Sequence, residues 1–206
     1  LRPEPKISSA KFANVTSLET AQKLKAKFGD LVSEPTEFRG EIMIKVADAE
    51  QIVAVCEFAK KQLGFDYLVD VSSLDNYGDD PRWTVVYELR GLASACELRI
   101  KTDVSEEKSE LPSVIGVWKT ANWHEREIYD MMGISFREHP DLRRILMWEG
   151  YPYFPLRKDF PLAGKPSDIP GVAFSKPAPM EGGPFVTIPS TSSSTAREPR
   201  VRIPEN

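Results

Sequence analysis

The stretch Glu41-Ile42-Met43-Ile44-Lys45-Val46-Ala47-Asp48 changes periodicity within a few residues. Ile42, Ile44 and Val46 alternate with Met43 and Lys45, the pattern of a strand buried mainly on one face. Beyond Asp48 the apolar positions fall instead at Ile52, Val55, Cys56, Ala59 and Leu63, one face of a helix. Asp48 is the N-cap expected there, and Gly64 the stop. Upstream, Thr16-x-x-Glu19 is a capping box ahead of Leu18, Ala21, Leu24 and Phe28, closed by Gly29. A β-like run around Leu31–Phe38 joins the 41–46 strand through Arg39-Gly40. Downstream come three further strand candidates, Tyr67–Ser72, Trp83–Leu89 and Cys96–Thr102. The last two are linked by Gly91-Leu92-Ala93-Ser94, a plausible hairpin connection. Helical signals return at Ser113–Lys119 and Asn122–Met132. The predicted order is therefore α-β-β-α-β-β-β-α. Unmatched runs of helix and strand, without strict βα alternation, predict a two-layer α+β sandwich with a mixed sheet.

Proline divides the chain. Residues 1–150 hold six prolines, whereas 151–206 hold eleven together with the run Ser190-Thr191-Ser192-Ser193-Ser194-Thr195. So much proline leaves little room for helices or paired strands. We expect an α+β domain over 1–150 and an extended arm over 151–206, ordered where it docks on partner chains.

Scarce residues narrow the chemistry. The 206 residues contain two Cys, Cys56 and Cys96, and two His, His124 and His139. A structural zinc site takes about four Cys/His ligands and an iron–sulfur cubane about four Cys, and Cys56 and Cys96 sit in no C-x-x-C pair, so a self-contained cluster or finger is excluded. The two thiols are expected in the core. Net charge is −4 without a basic stripe, which argues against a nucleic-acid binder. No apolar run approaches the roughly 18 residues of a membrane span. The chain opens at Leu1 with no signal-like stretch, which leads us to expect a trimmed or processed N-terminus.

The densest chemistry lies in Trp123-His124-Glu125-Arg126-Glu127-Ile128-Tyr129-Asp130-Met131-Met132-Gly133. Asn122 is the expected N-cap, with Glu125 at N3 and Gly133 at the C-terminal end. A helical wheel puts Arg126, Glu127 and Asp130 on one arc and Ile128, Tyr129, Met131 and Met132 on the other. Glu125 falls on the apolar side, where an unpaired charge costs several kcal/mol, so it needs a partner. Candidates follow in Phe136-Arg137-Glu138-His139-Pro140-Asp141-Leu142-Arg143-Arg144, where Asp141 can pair with Arg144 at i,i+3. A third cluster is Pro155-Leu156-Arg157-Lys158-Asp159-Phe160-Pro161-Leu162. Three readings compete. One is a solvated face with ion pairs worth under about 1 kcal/mol each. Another is a hydrolase using Glu125, Glu127, Asp130 and His139 as acid/base groups, although no nucleophile elbow or phosphate loop is present. The third is a buried network that fixes a connector, for which Arg143, Arg144 and Arg157 suit bidentate pairing with carboxylates.

The run from Glu125-Arg126-Glu127-x-Tyr129-Asp130-x-x-Gly133 through His139-Pro140-Asp141-Leu142-Arg143-Arg144-Ile145-Leu146 resembles the signature of a known family. That family comprises the mitochondrial 30-kilodalton subunit of NADH:quinone oxidoreductase, respiratory complex I, and its bacterial homologues. Pro155-Leu156-Arg157-Lys158-Asp159-Phe160-Pro161-Leu162 resembles its second block. Family members commonly carry Gly-His-Pro ahead of that block, where this chain reads Gly150-Tyr151-Pro152-Tyr153-Phe154-Pro155 without His.

The resemblance implies a non-catalytic subunit of the peripheral arm that scaffolds the quinone-reducing module while electrons pass from NADH to quinone. It implies no catalytic, metal or cofactor-binding residue in this chain, with FMN and iron–sulfur clusters held by other subunits. Implied partners are the neighbouring large subunit of the peripheral arm and the subunit holding the terminal cluster, with membrane association only through the complex. The structural and partner-interface network expected is Glu125, Arg126, Glu127, Tyr129, Asp130, His139, Arg143, Arg144, Arg157, Lys158 and Asp159. The expected location is the cytoplasmic face of a bacterial inner membrane, with the matrix side of the mitochondrial inner membrane as alternative. Equivalent subunits of membrane-bound hydrogenase-type or ferredoxin-dependent complexes share the resemblance.

Overall fold

A computed structural model describes residues 16–162. Helix α1 (Ser17–Phe28) opens on the expected capping box, with Glu19 N–H donating to Thr16 Oγ1 at 3.2 Å and Thr16 N–H to the Glu19 carboxylate at 3.1 Å. Strands β1 (Thr36–Phe38) and β2 (Glu41–Val46) pair antiparallel. Asp48, expected as the N-cap of the second helix, instead caps a short 3-10 turn (Ala49–Gln51), accepting from Glu50 N–H at 3.0 Å; the turn runs into α2 (Ile52–Leu63), whose own N-cap Gln51 makes no side-chain bond. Gly64 ends α2 at φ 80°, a left-handed conformation open to glycine at little cost. Strands β3 (Tyr67–Asp75), β4 (Trp83–Arg90) and β5 (Glu97–Val104) form an antiparallel meander.

β5 returns to lie parallel beside β2, so the five-stranded mixed sheet has the order β1-β2-β5-β4-β3. Register sets Ile44 beside Ile100, Ile100 beside Tyr87, and Tyr87 beside Val71. All four are buried, in one core with Ala21 and Leu24 of α1 and Val55, Cys56 and Ala59 of α2. Alternation turns Glu41, Lys45, Glu88, Arg99 and Asp103 the other way, where Arg99 pairs with Glu41 at 2.7 Å and also with Glu88. Partly solvated pairs of this kind add about 1 kcal/mol each; the apolar layer supplies the larger share of stability. The α+β class and mixed sheet are as predicted. Cys56 and Cys96 are buried and not joined in a disulfide.

Beyond the sheet, β6 (Glu110–Pro112) and β7 (Ser135–Arg137) pair in parallel on either side of α3 (Ala121–Met132) in sequence. Periodicity gives no sign of this small sheet, because each strand has only three residues. Three further expectations differ from the structure. Within Leu31–Phe38 only Thr36–Phe38 is a strand; a 3-10 turn covers Gly29–Leu31, and Pro35 brings no N–H to a ladder. Ser113–Lys119 is not a helix but turns, in which Val117 and Trp118 N–H both donate to Val114 O at 2.8 and 3.0 Å. Finally, α3 is preceded by Thr120, with no side-chain cap, so Asn122 lies inside the helix. Glu125 cannot close a capping box because its carboxylate is bound elsewhere.

The first compact unit runs through Phe160, past the expected boundary at 150/151. The predicted docking of the arm beyond Leu162 falls outside the described residues. Among the described residues no helix is long and apolar enough to cross a membrane.

Candidate functional site

Asp130, in the last turn of α3, is fully enclosed. Its Oδ2 accepts the backbone N–H groups of Ile145, Leu146 and Met147 at 2.9, 2.6 and 2.8 Å. Its Oδ1 accepts from Arg144 Nη1 at 2.6 Å, and the same nitrogen donates to the Asp130 carbonyl at 2.9 Å. Burial pushes this carboxyl's pKa up, but the Met147 amide, the Arg144 guanidinium and the other two amides outweigh it and hold it below the ordinary range. Residues 144–147 have no helix or strand of their own, so this carboxylate supplies the acceptors that a ladder would otherwise supply.

Arg126 lies one turn earlier on the same helix face. Its Nε donates to Arg143 O at 3.1 Å and its Nη2 to Arg144 O at 3.3 Å, with the guanidinium 5.3 Å from the Trp123 ring centre. The chain then returns to the end of α3. Leu156 N–H donates to Met131 O at 3.2 Å and Arg157 Nε to Met132 O at 2.6 Å. A cation at the last carbonyls satisfies acceptors that the helix leaves open and complements its dipole. The Arg157 guanidinium lies 4.4 Å from the Phe154 ring centre and 5.1 Å from that of Trp83.

Just beyond, Lys158 N–H donates to Asp75 Oδ2 at 2.7 Å. Asp75 is held bidentately by Arg82, at 2.9 and 3.1 Å, and Arg82 also reaches Asp159 at 2.8 Å and the Glu106 carboxylate. Burial raises the Asp75 pKa, yet Arg82 and the Lys158 amide hold it below the ordinary range.

On the apolar side of α3, Glu125 is fully buried. Ser113 Oγ donates to its Oε2 at 2.5 Å and Val114 N–H to its Oε1 at 2.8 Å. No guanidinium pairs with it among the described residues, so the expected arginine partner is replaced by a hydroxyl and an amide. With neutral donors only, burial dominates and pushes its pKa up to about 7. His139 Nε2 lies 4.0 Å away, and its Nδ1 accepts from Asp141 N–H at 3.1 Å. Both side chains are fully enclosed, so this pair lacks the open cleft that a hydrolytic mechanism requires.

Residues 45–166 match the family model for the 30 Kd subunit of the respiratory-chain NADH dehydrogenase. The chain belongs to that family. A relative described as a subunit of NADH-quinone oxidoreductase, from Geotalea uraniireducens (strain Rf4), is 48% identical over 142 residues, 69% of this chain and 86% of its own length. The same subunit from Geobacter sulfurreducens is 44% identical over 143 residues, covering 69% and 88%. In a solved structure of the membrane-bound sulfane sulfur reductase, an archaeal respiratory membrane complex, one chain aligns with TM-score 0.60 at 19% identity. That alignment covers 70% of this chain and 85% of the other, a likeness of fold alone.

For this member of the 30 Kd subunit family the charged residues separate by position. The structure brings Arg126, Asp130, Arg144 and Arg157 together along one side and one end of α3, and carries Lys158 and Asp159 to Asp75 and Arg82. The wheel sets Arg126 and Asp130 on a polar arc with Glu127, but only Glu127 is exposed, because residues 143–147 cover the other two. Arg143 contributes its carbonyl, while its exposed side chain pairs with Asp141 at 3.0 Å; the expected Asp141–Arg144 pair does not form. Tyr129 is half-buried, and its carbonyl accepts from Gly133 N–H at 3.0 Å.

Sequence reasoning missed Asp75, Arg82 and Ser113. The signal available for the first two was an acid and a base at facing ends of two strand-like runs, on either side of Asn76-Tyr77-Gly78-Asp79-Asp80-Pro81. Ser113 stands in a segment that reads as helical, where nothing local marks it as the partner of a carboxylate.

Proposed function

We propose that this chain is a non-catalytic peripheral-arm subunit of a proton-translocating NADH:quinone oxidoreductase. Membership of the 30 Kd subunit family supports its place in the complex. The observation that carries the scaffolding role is the use made of the buried charges. Asp130 and Arg126 bind backbone groups of residues 143–147, and Arg157 binds the carbonyl of Met132. A group that holds its own chain in place in this way is not disposed to exchange protons with a substrate. The network therefore fixes a surface formed by 141–160 and directs the chain toward the arm that follows.

In this reading the arm lies along the neighbouring large subunit and near the subunit holding the terminal cluster. FMN and the iron–sulfur clusters belong to other subunits, and membrane association runs through the complex. The site of action is the cytoplasmic face of a bacterial inner membrane; the matrix side would apply to a mitochondrial source.

The test is Arg144→Glu, with the complex isolated from solubilised membranes. We expect fewer copies of this chain in the complex and turnover reduced in proportion. Normal incorporation with lost turnover would assign the chain a direct chemical role instead. Copurification of an NADH-oxidising flavoprotein supports the respiratory enzyme. A hydrogenase or a ferredoxin-linked module in its place would move the chain to a related complex.

A further inference from the structure

Strand β3 is the outer strand of the five-stranded sheet, and its pairing with β4 shifts register between Leu68 and Asp70. A bulge bends a strand and re-aims the side chains beside it. Asp70 meets α3 here, with Oδ1 3.0 Å from His124 Nδ1. Below this contact a cleft of about 150 Å³ opens between β3 and α3. Val71, Ile128 and Met131 form its apolar lining, Leu156 stands over it 60% exposed, and Asp70 and Glu127 are its carboxylates.

Two features limit what the cleft can take. Sites for small organic ligands run to roughly 300–1,000 Å³, so this one has room for a single medium-sized side chain rather than a cofactor or a quinone-sized molecule. Its charge is one-sided. No Lys or Arg lines it, Asp70 pairs with the His124 imidazole and stands opposite Glu88 on β4, and Glu127 makes no hydrogen bond or ion pair among the described residues. A methionine-lined floor adapts to the shape of an inserted side chain, and a carboxylate rim selects for a neighbouring cation.

We propose that the acid-rimmed cleft between β3 and α3 docks a segment of a neighbouring subunit that presents one apolar side chain next to a Lys or Arg. This rests on the reading that the chain is built into a larger complex. The inserted side chain fills the apolar floor, and its basic neighbour meets Glu127 and Asp70 at the rim. A few side chains packed into desolvated pockets carry most of the energy of a protein contact.

The experiment uses the intact complex in native membranes, with a photoreactive benzoylphenylalanine at Leu156, which stands exposed over the cleft. Irradiation should join Leu156→benzoylphenylalanine to one peptide of another subunit that contains a Lys or Arg beside an apolar residue. Combining it with Asp70→Lys and Glu127→Lys should cut the cross-link roughly tenfold, as expected for two charge contacts turned repulsive. Circular dichroism of the charge-reversed chain guards against reading misfolding as lost docking. Cofractionation of this chain with the complex but no cross-link from position 156, or a cross-link only to a second copy of this chain, would overturn the proposal. So would a yield unchanged by charge reversal. Failure to cofractionate at all would instead remove the reading of the chain as part of a complex, and the docking proposal with it.

Discussion

Arg144 and Asp130 are joined twice, by a 2.6 Å bond between Nη1 and Oδ1 and a 2.9 Å bond from the same nitrogen to the Asp130 carbonyl. Oδ2 is left for three consecutive amides. Asp130 is thus an acceptor for a stretch of backbone as much as an ion-pair partner. Asp130→Ala strands a largely buried cation and three amides, and should cost about 3–5 kcal/mol. Denaturant titration measures it, and protease cleavage within 143–149 should rise in parallel. An unchanged cleavage pattern would mean that the segment is held by something else.

The same carboxyl supplies a test in acid. Its folded pKa lies below the unfolded value of about 3.9, so its contribution is complete above roughly pH 4. It is lost as pH falls through the lower folded value. The acid-unfolding midpoint of Asp130→Asn should therefore lie at higher pH than that of the parent chain.

Glu125 behaves in the opposite sense. Its pKa rises from 4.5 to about 7 on folding, so the folded chain binds a proton that the unfolded chain does not hold between those values. This group makes the fold less stable as pH rises from about 4.5 to 7, by up to about 3 kcal/mol in total. Glu125→Gln keeps the shape and removes the titration. Unfolding free energies at intervals from pH 5 to 8 should show that component of the slope absent in the variant, and an identical slope would refute the assignment.

Gly133 closes α3 at φ 77°, and a Cβ there would meet the Arg157 guanidinium and the Phe154 ring, the latter at 2.7 Å. Gly133→Ala combines a left-handed backbone with displacement of the cation from the helix end. A loss of about 1–3 kcal/mol is expected, read as a lower Tm. Arg157→Ala in the Gly133→Ala background should then cost less than it does alone.

Arg82 is 4% exposed and serves Asp75, Glu106 and Asp159 together. Arg82→Lys loses the two-pronged grip on Asp75, and Arg82→Ala leaves that carboxylate buried without its cation, with the Lys158 amide as its remaining donor. The second should cost about 3–5 kcal/mol and the first less, with Asp75→Asn partly restoring Arg82→Ala. Thermal unfolding of Arg82→Lys, Arg82→Ala, Asp75→Asn and the Arg82→Ala/Asp75→Asn double variant decides this; additive losses in the double variant would contradict the pairing.

Much of the fold was legible locally. The capping box at Thr16 and Glu19, the turn capped by Asp48, the left-handed stop at Gly64 and the alternation of Ile42, Ile44 and Val46 depend on residues a few positions apart. Each is set by backbone geometry and side-chain reach that do not change with the rest of the molecule. The same holds for the hairpin of β4 and β5, which the connection around Gly91-Leu92-Ala93-Ser94 announces. Ser113–Lys119 misled because apolar spacing alone cannot show that Ser113 and Val114 are held as donors for a carboxylate of the following helix.

The amino-acid order thus settled the types of α1, α2, α3 and β2 to β5, the α+β class and, through its motif residues, the family resemblance. Folding in three dimensions settled which charges are buried. Arg126 and Asp130 share a polar arc with Glu127, and nothing local separates them. They differ because residues 143–147 fold across two of the three, and a charge covered in this way must find donors or acceptors within the protein. The parallel alignment of β2 with β5, the meeting of Asp75 with Arg82 and Lys158, and the neutral partners of Glu125 have the same origin. Burial and pairing depend on which distant segment lies over a side chain, and periodicity within one segment carries no record of that.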